Sequence, residues 1–297
     1  MIENSSRIYI ERASDQGKGN FYPPEQAKIS VFDVGLQRGY GVFEVMRTYQ
    51  GQPFRSEDHI DRLFSSAKAI KLDLPWDKKT LVKKVHKVLC ATEEKELSLK
   101  LMVTGGEERG RMEPADPNLV IFSKPLSPYP DSLYAEGAKV ITTQKTPFLP
   151  AVKSLNYLHS FIARREAYDQ SAHETLFLDQ EGYVLEGTTS NIFVVRGNST
   201  LLTPEEDILP GVTRKFVIEI ASLLQLEVQQ RKIPFSELFQ AQELFLTSTV
   251  REIMPVVKVD GREIGSGLPG EITGGLLNKY RELAPEHCAD PSGISQA

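Results

Sequence analysis

The sequence predicts a two-domain protein of the α+β or α/β class. Its 297 residues match the length of one large or two ordinary domains. Strand and helix patterns alternate unevenly, with neighbouring strands joined by short turns, which disfavours a doubly wound parallel sheet. A proline-rich stretch over 125–130 is the best linker candidate. We therefore expect an N-terminal domain over 1–124, a linker over 125–136, a C-terminal domain over 137–284 and a flexible tail over 285–297.

The N-terminal half combines strand patterns with two helix patterns. Glu57 and Asp58 follow Ser56, a plausible N-cap, and place acidic charge in the first turn of a helix. Apolar residues then recur at helical spacing and form one face: Ile60, Leu63, Phe64, Ala67 and Ile70. A second helix is predicted over 78–92. Apolar alternation predicts strands over 7–11, 27–33, 42–49, 97–103 and 118–122.

The C-terminal half repeats this mixture of elements. Helices are predicted over 156–170, 212–224 and near 271–281, the second of them from the spacing of Val217, Ile220, Ala221 and Leu224. Strands are predicted over 139–143, 174–179, 191–195 and 244–247. We find no internal repeat.

Composition excludes several classes of protein. The formal net charge of −5 disfavours nucleic-acid binding by phosphate neutralisation. No apolar run approaches the ~18 residues of a membrane span, and the N-terminus lacks a signal-peptide pattern. Cys90 and Cys288 lie too far apart for a disulfide framework or a zinc site. We expect a cytoplasmic protein with no metal site that binds neither nucleic acid nor membranes.

Three local patterns suggest chemistry, although each is also typical of an ordinary loop. Residues 209–214 open a helix, where backbone N–H groups and the Thr213 hydroxyl would attract an anion. Lys153 lies among apolar neighbours that would favour a neutral, reactive amine. Glu186 precedes small hydroxyl residues over 188–190 and could serve a charged ring nitrogen near a phosphate.

The order of these patterns resembles a known family. Residues 152–158, 185–193, 208–214, 246–249 and 252–256, with 39–44 and 58–63 in the N-terminal half, resemble the class IV (fold type IV) pyridoxal-phosphate (PLP) aminotransferases. This group includes D-amino-acid aminotransferases, branched-chain aminotransferases and aminodeoxychorismate lyase. The resemblance implies that PLP lies in a cleft between the two domains and that the protein forms a homodimer.

The resemblance also implies residue roles. Lys153 matches the catalytic lysine that holds PLP as a Schiff base and shuttles a proton. Glu186 matches the carboxylate that pairs with the pyridine nitrogen and keeps the ring an electron sink. Arg62 matches the arginine that binds the phosphate. Further cofactor contacts are implied for Tyr157, Leu209, Val212, Thr213 and Thr249.

Substrate choice is the open point in this comparison. An Arg-x-His carboxylate trap of D-specific enzymes is replaced here by Gly105, Gly106 and Glu107. The tyrosine and arginine typical of branched-chain enzymes correspond to about Ser98 and Lys100. The substrate-site candidates are therefore Phe43, Arg109, Arg111 and Arg251, although each arginine could equally be a solvated loop residue.

These points lead to one leading functional hypothesis. We expect a ping-pong aminotransferase that moves an amino group between a D-amino acid or a branched-chain L-amino acid and a 2-oxo acid. The alternative is an aminodeoxychorismate lyase, which releases 4-aminobenzoate and pyruvate; the lyase usually has an arginine where this chain has Tyr157. A non-catalytic relative is disfavoured because both Lys153 and Glu186 are present.

Overall fold

The computed structural model describes residues 8–110, 113–197 and 199–288. The chain forms two compact units. The first contains the chain up to Ser127, the short segment Val152–Asn156, and the chain from Ala284 onward. The second contains Pro128–Ala151 and Tyr157–Leu283. The sequence assigned residues 152–156 to the C-terminal domain, whereas these residues belong to the first unit.

The first unit is built on an antiparallel sheet. Its strands are β1 (Ile8–Arg12), β2 (Asn20–Tyr22), β3 (Gly41–Tyr49), β4 (Gln52–Pro53), β5 (Leu97–Thr104) and β8 (Asn118–Pro125). They pair in the order β2-β1-β8-β5-β3-β4. A short hairpin of β6 (Glu107–Glu108) and β7 (Pro114–Ala115) stands apart from this sheet. The helices are α1 (Val34–Arg38), α2 (Ser56–Ala69) and α3 (Lys78–Leu89).

One face of this sheet carries the core of the first unit. Alternation along β3 and β5 directs Val42, Met46, Leu99 and Leu101 to the side on which α2 and α3 pack. The α2 face predicted from the sequence is confirmed, since Ile60, Leu63 and Ala67 are buried in this core: they are among its least exposed side chains. The opposite face of the sheet contains Phe43, Val45, Lys100 and Met102, which alternate with the core residues.

The strand predicted over 27–33 is wrong. Asp33 is fully buried and caps α1 through the amide of Gly35 at 2.6 Å. Its other carboxylate oxygen accepts hydrogen bonds from Thr104 Oγ1 and Asn118 Nδ2 at 2.6 and 2.7 Å. Residues 27–33 therefore form no strand, and Asp33 at the end of this segment caps α1 instead. Ser56 also differs from prediction, since it is the first residue of α2 and Arg55, in a left-handed conformation, precedes it.

The second unit is built on a larger mixed sheet. Its strands are β9 (Ala138–Thr143), β10 (Glu174–Leu178), β11 (Tyr183–Gly187), β12 (Asn191–Arg196), β13 (Thr200–Thr203), β14 (Glu227–Gln230), β15 (Ile233–Pro234), β16 (Glu243–Ser248), β17 (Glu252–Val259) and β18 (Arg262–Glu263). They pair in the order β14-β13-β12-β16-β17-β9-β10-β11-β15, with β18 beside β17. Strand β9 pairs in parallel with β10 and β17.

The helices of the second unit are α4 (Asp131–Ala135), α5 (Leu158–Asp169), α6 (Val212–Leu223) and α7 (Glu271–Leu283). The α6 face predicted from the sequence is confirmed for Val217, Ile220 and Ala221, which are fully buried, whereas Leu224 lies just after the helix and is 39% exposed. Helices packed with an antiparallel sheet in the first unit and with a mixed sheet in the second confirm the α+β or α/β class. Across the described ranges, no helix combines the length and apolar character needed to cross a bilayer.

Candidate active site

Lys153 is held in place by its backbone. The Phe43 amide donates to the Lys153 carbonyl at 3.0 Å, and the Leu155 amide donates to the Gly41 carbonyl at 2.9 Å. On the other side, the Lys153 amide donates to Ser66 Oγ of α2 at 3.1 Å. The segment therefore follows the first residues of β3 like a short extra strand. These bonds fix the lysine although its neighbours form no regular element.

The Lys153 amine lies beside an aromatic ring and a second lysine. Its Nζ is 4.7 Å from the centre of the Phe43 ring, and Lys100 Nζ is 4.6 Å from the same centre. Burial, together with the nearby charges of Lys153 and Lys124, lowers the pKa of Lys100. Two amines on one ring disfavour each other's positive charge. A neutral amine is the form that attacks a carbonyl or accepts a proton.

Arg62 and His59 meet a buried carboxylate in the first unit. Arg62 Nε and Nη2 donate to the two oxygens of Glu44 at 2.8 and 2.7 Å. His59 Nδ1 lies 2.8 Å from Glu44 Oε2. Burial alone would raise the pKa of Glu44, but the Arg62 guanidinium and the His59 hydrogen bond hold it at about 2. Glu44 is therefore ionised at neutral pH, and Arg62 is fixed by a two-point ion pair.

The second unit brings Glu186 together with Asn191 and Leu209. Asn191 Nδ2 donates to Glu186 Oε2 at 3.1 Å and to the Leu209 carbonyl at 2.9 Å. The Leu209 amide donates to the same Glu186 oxygen at 3.0 Å. Two donors thus hold one carboxylate oxygen. A carboxylate held in this way is suited to pair with a protonated ring nitrogen.

The start of α6 lies beside Asn191, next to the Glu186 contacts just described. Gly211 is the N-cap of the helix and has no side chain with which to cap the first turn. Val212 and Thr213 are buried there. A methyl group at Gly211 would lie 2.0 Å from Asn191 Oδ1, so the Asn191 side chain would have to move to admit any larger residue. Uncapped amides and the helix dipole make this position suitable for a phosphate.

Tyr157 and Thr249 complete the predicted cofactor contacts, and both lie in the second unit. Tyr157 directly precedes α5, with its ring centre 6.2 Å from that of His159. Thr249 lies in the turn between β16 and β17. The hydroxyl of nearby Thr247 is buried without a hydrogen-bond partner among the described residues. Such an orphaned hydroxyl is typical of a site that a polar ligand completes.

Arg251 is buried, unlike a solvated loop arginine. Its side chain is 1% exposed and pairs with Glu174, which is equally buried and also accepts from the Thr188 hydroxyl. Burial and the Arg251 charge act on Glu174 in opposite directions, and the net result is a lowered pKa. Arg251 is therefore part of a buried charge cluster, and its Nη2 is buried without a hydrogen-bond partner among the described residues, so its substrate role stays a prediction.

The other two arginines differ in what the structure shows. Arg109 lies in the exposed loop of the β6–β7 hairpin, where its amide donates to the Glu113 carbonyl at 3.0 Å. Arg111 lies outside the described residues.

Sequence reasoning missed Glu44, His59 and Ser66 as members of the site. Glu44 and His59 lie within the two N-terminal motifs, 39–44 and 58–63. The period of α2 could have identified Ser66, because residues 59, 62 and 66 share one face of a helix. Their common partners on β3 and in the lysine segment depend on tertiary packing, which no local pattern displays.

Each unit, taken by itself, contains groups of the kinds that bind PLP. The first unit has an amine beside an aromatic ring and a fixed guanidinium. The second has a held carboxylate, a helix start preceded by a closely packed glycine, and the orphaned hydroxyl of Thr247. An aldehyde, a phosphate and a protonated pyridine nitrogen require these groups.

Comparison with known proteins agrees with this chemistry. The model of the family described as amino-transferase class IV matches residues 41–259. A putative branched-chain-amino-acid aminotransferase from Methanocaldococcus jannaschii is 38% identical over 275 residues, covering 89% of this chain and 94% of the relative. A D-alanine aminotransferase from Bacillus licheniformis is 31% identical over 260 residues, covering 86% and 91%.

Solved structures show the same fold. The T.th. branched-chain amino acid aminotransferase with pyridoxamine 5'-phosphate superposes with a TM-score of 0.87 and 29% identity, covering 98% of this chain and 97% of the other. The Escherichia coli branched-chain enzyme gives 0.86 and 27%, covering 96% and 97%. The chain therefore belongs to the class IV aminotransferase family and is a PLP-dependent aminotransferase of fold type IV.

Proposed function

We propose that the protein transfers the amino group of apolar L-amino acids, the branched-chain ones above all, to a 2-oxo acid. The observation that carries this substrate class is the surface beside Lys153. There Phe43 and Val45 of β3 lie opposite Met102 and Lys100 of β5 in the sheet register. An apolar side chain would pack against this face. The relatives named as branched-chain enzymes support the same class.

The residues that directly follow β5 support L-amino acids as the substrates. Gly105 and Glu107 stand where the arginine and the histidine of the D-specific carboxylate trap would lie, so neither trap residue is present. A β-carbon at Gly105 would lie 2.6 Å from Tyr40 Cδ1 and 2.7 Å from Val34 Cγ2, so the packing there leaves little room for an arginine.

The proposed roles follow from the contacts described above. PLP, when bound, supplies the electron sink for the bond broken at the substrate Cα. Lys153 attaches the cofactor and carries the proton at its Nζ. Glu186 keeps the ring nitrogen protonated. Arg62 binds the phosphate from the first unit.

The remaining contacts come from the second unit and the Phe43 ring. The start of α6 at Val212 and Thr213, with Thr249, binds the phosphate. Tyr157 and Leu209 contact the ring, and Phe43 lines the substrate side. Arg109 and Arg111 remain the proposed partners of the substrate carboxylate.

A homodimer and a cytoplasmic location are part of this proposal. Large apolar side chains of the second unit are exposed in the single chain, including Phe148 at 78%, Phe161 at 73% and Leu158 at 68%. Large exposed apolar groups of this kind support a protein interface. Both cysteines of the described chain are free thiols, as expected in a reducing compartment.

The test is a pair of half-reactions followed in the visible spectrum. The purified protein loaded with PLP is mixed with L-leucine in one cuvette and D-alanine in another. We expect L-leucine to remove the absorbance of the bound cofactor and 2-oxoglutarate to restore it, with little change from D-alanine. A response to D-alanine alone would contradict the proposed handedness. A response to neither, with pyruvate released from aminodeoxychorismate, would favour the lyase.

A further inference from the structure

Glu44 is a fully buried carboxylate of the first unit that pairs with Arg62, and the proposed reaction leaves its role open. It is 0% exposed beneath α2, between the core residues Val42 and Met46 of β3. Both of its oxygens are engaged: Oε1 by Arg62 Nε, and Oε2 by Arg62 Nη2 and His59 Nδ1, all within 2.8 Å. Three donors therefore fix one anion in both position and plane.

The fork between Glu44 and Arg62 defines the orientation of the guanidinium. Two parallel N–H···O bonds set the plane of the group, which a single contact would leave to rotate. His59 lies one turn earlier on α2 and binds Glu44 Oε2. Burial lowers the pKa of His59, so that the ring is neutral and donates through Nδ1 without adding charge. The imidazole thus braces Glu44 from the side that Arg62 does not occupy.

We propose that Glu44, braced by His59, is a positioning residue that aims Arg62 at the cofactor phosphate. This inference rests on the proposed role of Arg62. Glu44 itself touches no reacting atom. Its contribution is to hold the guanidinium in one orientation before the phosphate arrives, which reduces the ordering that binding requires.

A purely electrostatic role and a positioning role of Glu44 predict opposite effects of Glu44→Gln on phosphate binding. If Glu44 served only to neutralise Arg62, removing its negative charge would strengthen the attraction of Arg62 for phosphate. If Glu44 positions Arg62, the substitution weakens phosphate binding. A glutamine amide has only one acceptor oxygen, and its NH2 group would face the N–H donors of Arg62 or His59. The fork would then be lost.

The experiment compares the dissociation constants of PLP and pyridoxal, measured by absorbance titration of the apoprotein. Pyridoxal lacks the phosphate but reacts with the same lysine, so the ratio of the two constants isolates the phosphate contribution. We expect a wild-type preference for PLP that falls by about 10-fold or more in E44Q, the range for a lost charge-assisted hydrogen bond. Pyridoxal binding should change little.

Glu11→Gln is the matched control. Glu11 is likewise fully buried in the first unit, where it pairs with Lys84 and accepts from Trp76 Nε1. E11Q should lower thermal stability as E44Q does, yet leave the PLP-to-pyridoxal preference at the wild-type value. A merely structural role for Glu44 would make the two variants alike.

The outcomes separate this inference from the proposed function. A preference that is unchanged or increased in E44Q overturns the positioning role while leaving PLP binding intact. A wild-type protein with no preference for PLP overturns the role of Arg62 and the inference with it. If E44Q does not fold, His59→Ala replaces it: the fork remains but loses its brace, and we expect a few-fold fall in the preference. An unchanged preference in H59A would then overturn the proposal.

Discussion

At the scale of single residues, Glu44 should make the stability of the protein depend on pH. Its folded pKa of about 2 lies below the ordinary value of 4.5. A carboxyl group shifted in this direction stabilises the fold above its ordinary pKa, and the stabilisation is lost as the pH falls toward the folded value. The expected contribution at neutral pH is about 3 kcal/mol, lost between roughly pH 4.5 and pH 2.

Denaturant unfolding at a series of pH values checks this expectation. Wild type should lose stability more steeply than E44Q on acidification, and the difference between them removes the shared contributions of Glu11 and Glu174, whose pKa values are also lowered. Protonation of His59 beside Glu44 acts in the same direction, since burial lowers its pKa. Parallel curves for wild type and E44Q would show that Glu44 does not have the depressed pKa described here.

The residues predicted from sequence are those whose chemistry shows in a local motif. Lys153, Glu186 and Arg62 each stand in a recognisable run, and the structure gives each of them fixed partners. The ion pair of Arg251 was not foreseen, because its partner, Glu174, is 77 residues away on β10. An isolated arginine in a loop pattern cannot reveal such a partner. Glu44 was missed for the same reason, since its donors come from α2.

At the scale of elements, the junction before α6 is the most sensitive position. Gly211→Ala would place a methyl group 2.0 Å from Asn191 Oδ1. Asn191 would have to move, and it also holds Glu186 and the Leu209 carbonyl. We expect a loss of about 1–3 kcal/mol in the free energy of unfolding, together with weaker PLP binding, measured by thermal unfolding and absorbance titration.

Gly274→Ala provides the control for this substitution. Gly274 lies inside α7, where an added methyl group would meet no atom within 4 Å. Alanine in a helix interior is favoured over glycine, so G274A should stabilise the protein by about 0.5–1 kcal/mol and leave PLP binding unchanged. If G211A behaved like G274A in both measurements, the close packing of Gly211 against Asn191 would be refuted.

Elements whose apolar residues recur at a regular spacing were predicted well. Elements that depend on partners far away in the sequence were not. The α2 pattern is confirmed because its apolar face reflects burial directly. Residues 27–33 alternate like a strand, but the buried Asp33 is used to cap α1 and to bind Thr104 and Asn118. That use depends on β5 and β8, which lie at least 60 residues further along the chain.

At the scale of the whole molecule, the order of the chain does not match the order of the units. Residues 152–156 return to the first unit, where their backbone pairs with the start of β3. A division of the sequence into consecutive domains cannot foresee this return. Lys153, the proposed catalytic lysine, therefore belongs to the unit that also contains Arg62, while Glu186 belongs to the other.

The proposed homodimer leads to a prediction at the same scale. Phe161 lies on α5 and is 73% exposed in the single chain. Burying a new carboxylate in an apolar interface is costly, so Phe161→Asp should shift the protein from dimer to monomer in sedimentation velocity. Phe161→Leu, which keeps the apolar contact, should remain dimeric. A monomeric wild type, or a dimeric F161D, would contradict the placement of the interface on α5.

The most direct test of the proposed active site is to locate the lysine that carries the cofactor. PLP-loaded protein is reduced with borohydride, digested, and analysed by mass spectrometry. We predict a phosphopyridoxyl group on Lys153 and none in K153A. Lys100 is the internal control, because its amine lies over the same Phe43 ring at nearly the same distance as the amine of Lys153. A label on Lys100 in the wild type, or a label that persists in K153A, would contradict the assignment of Lys153 as the catalytic lysine.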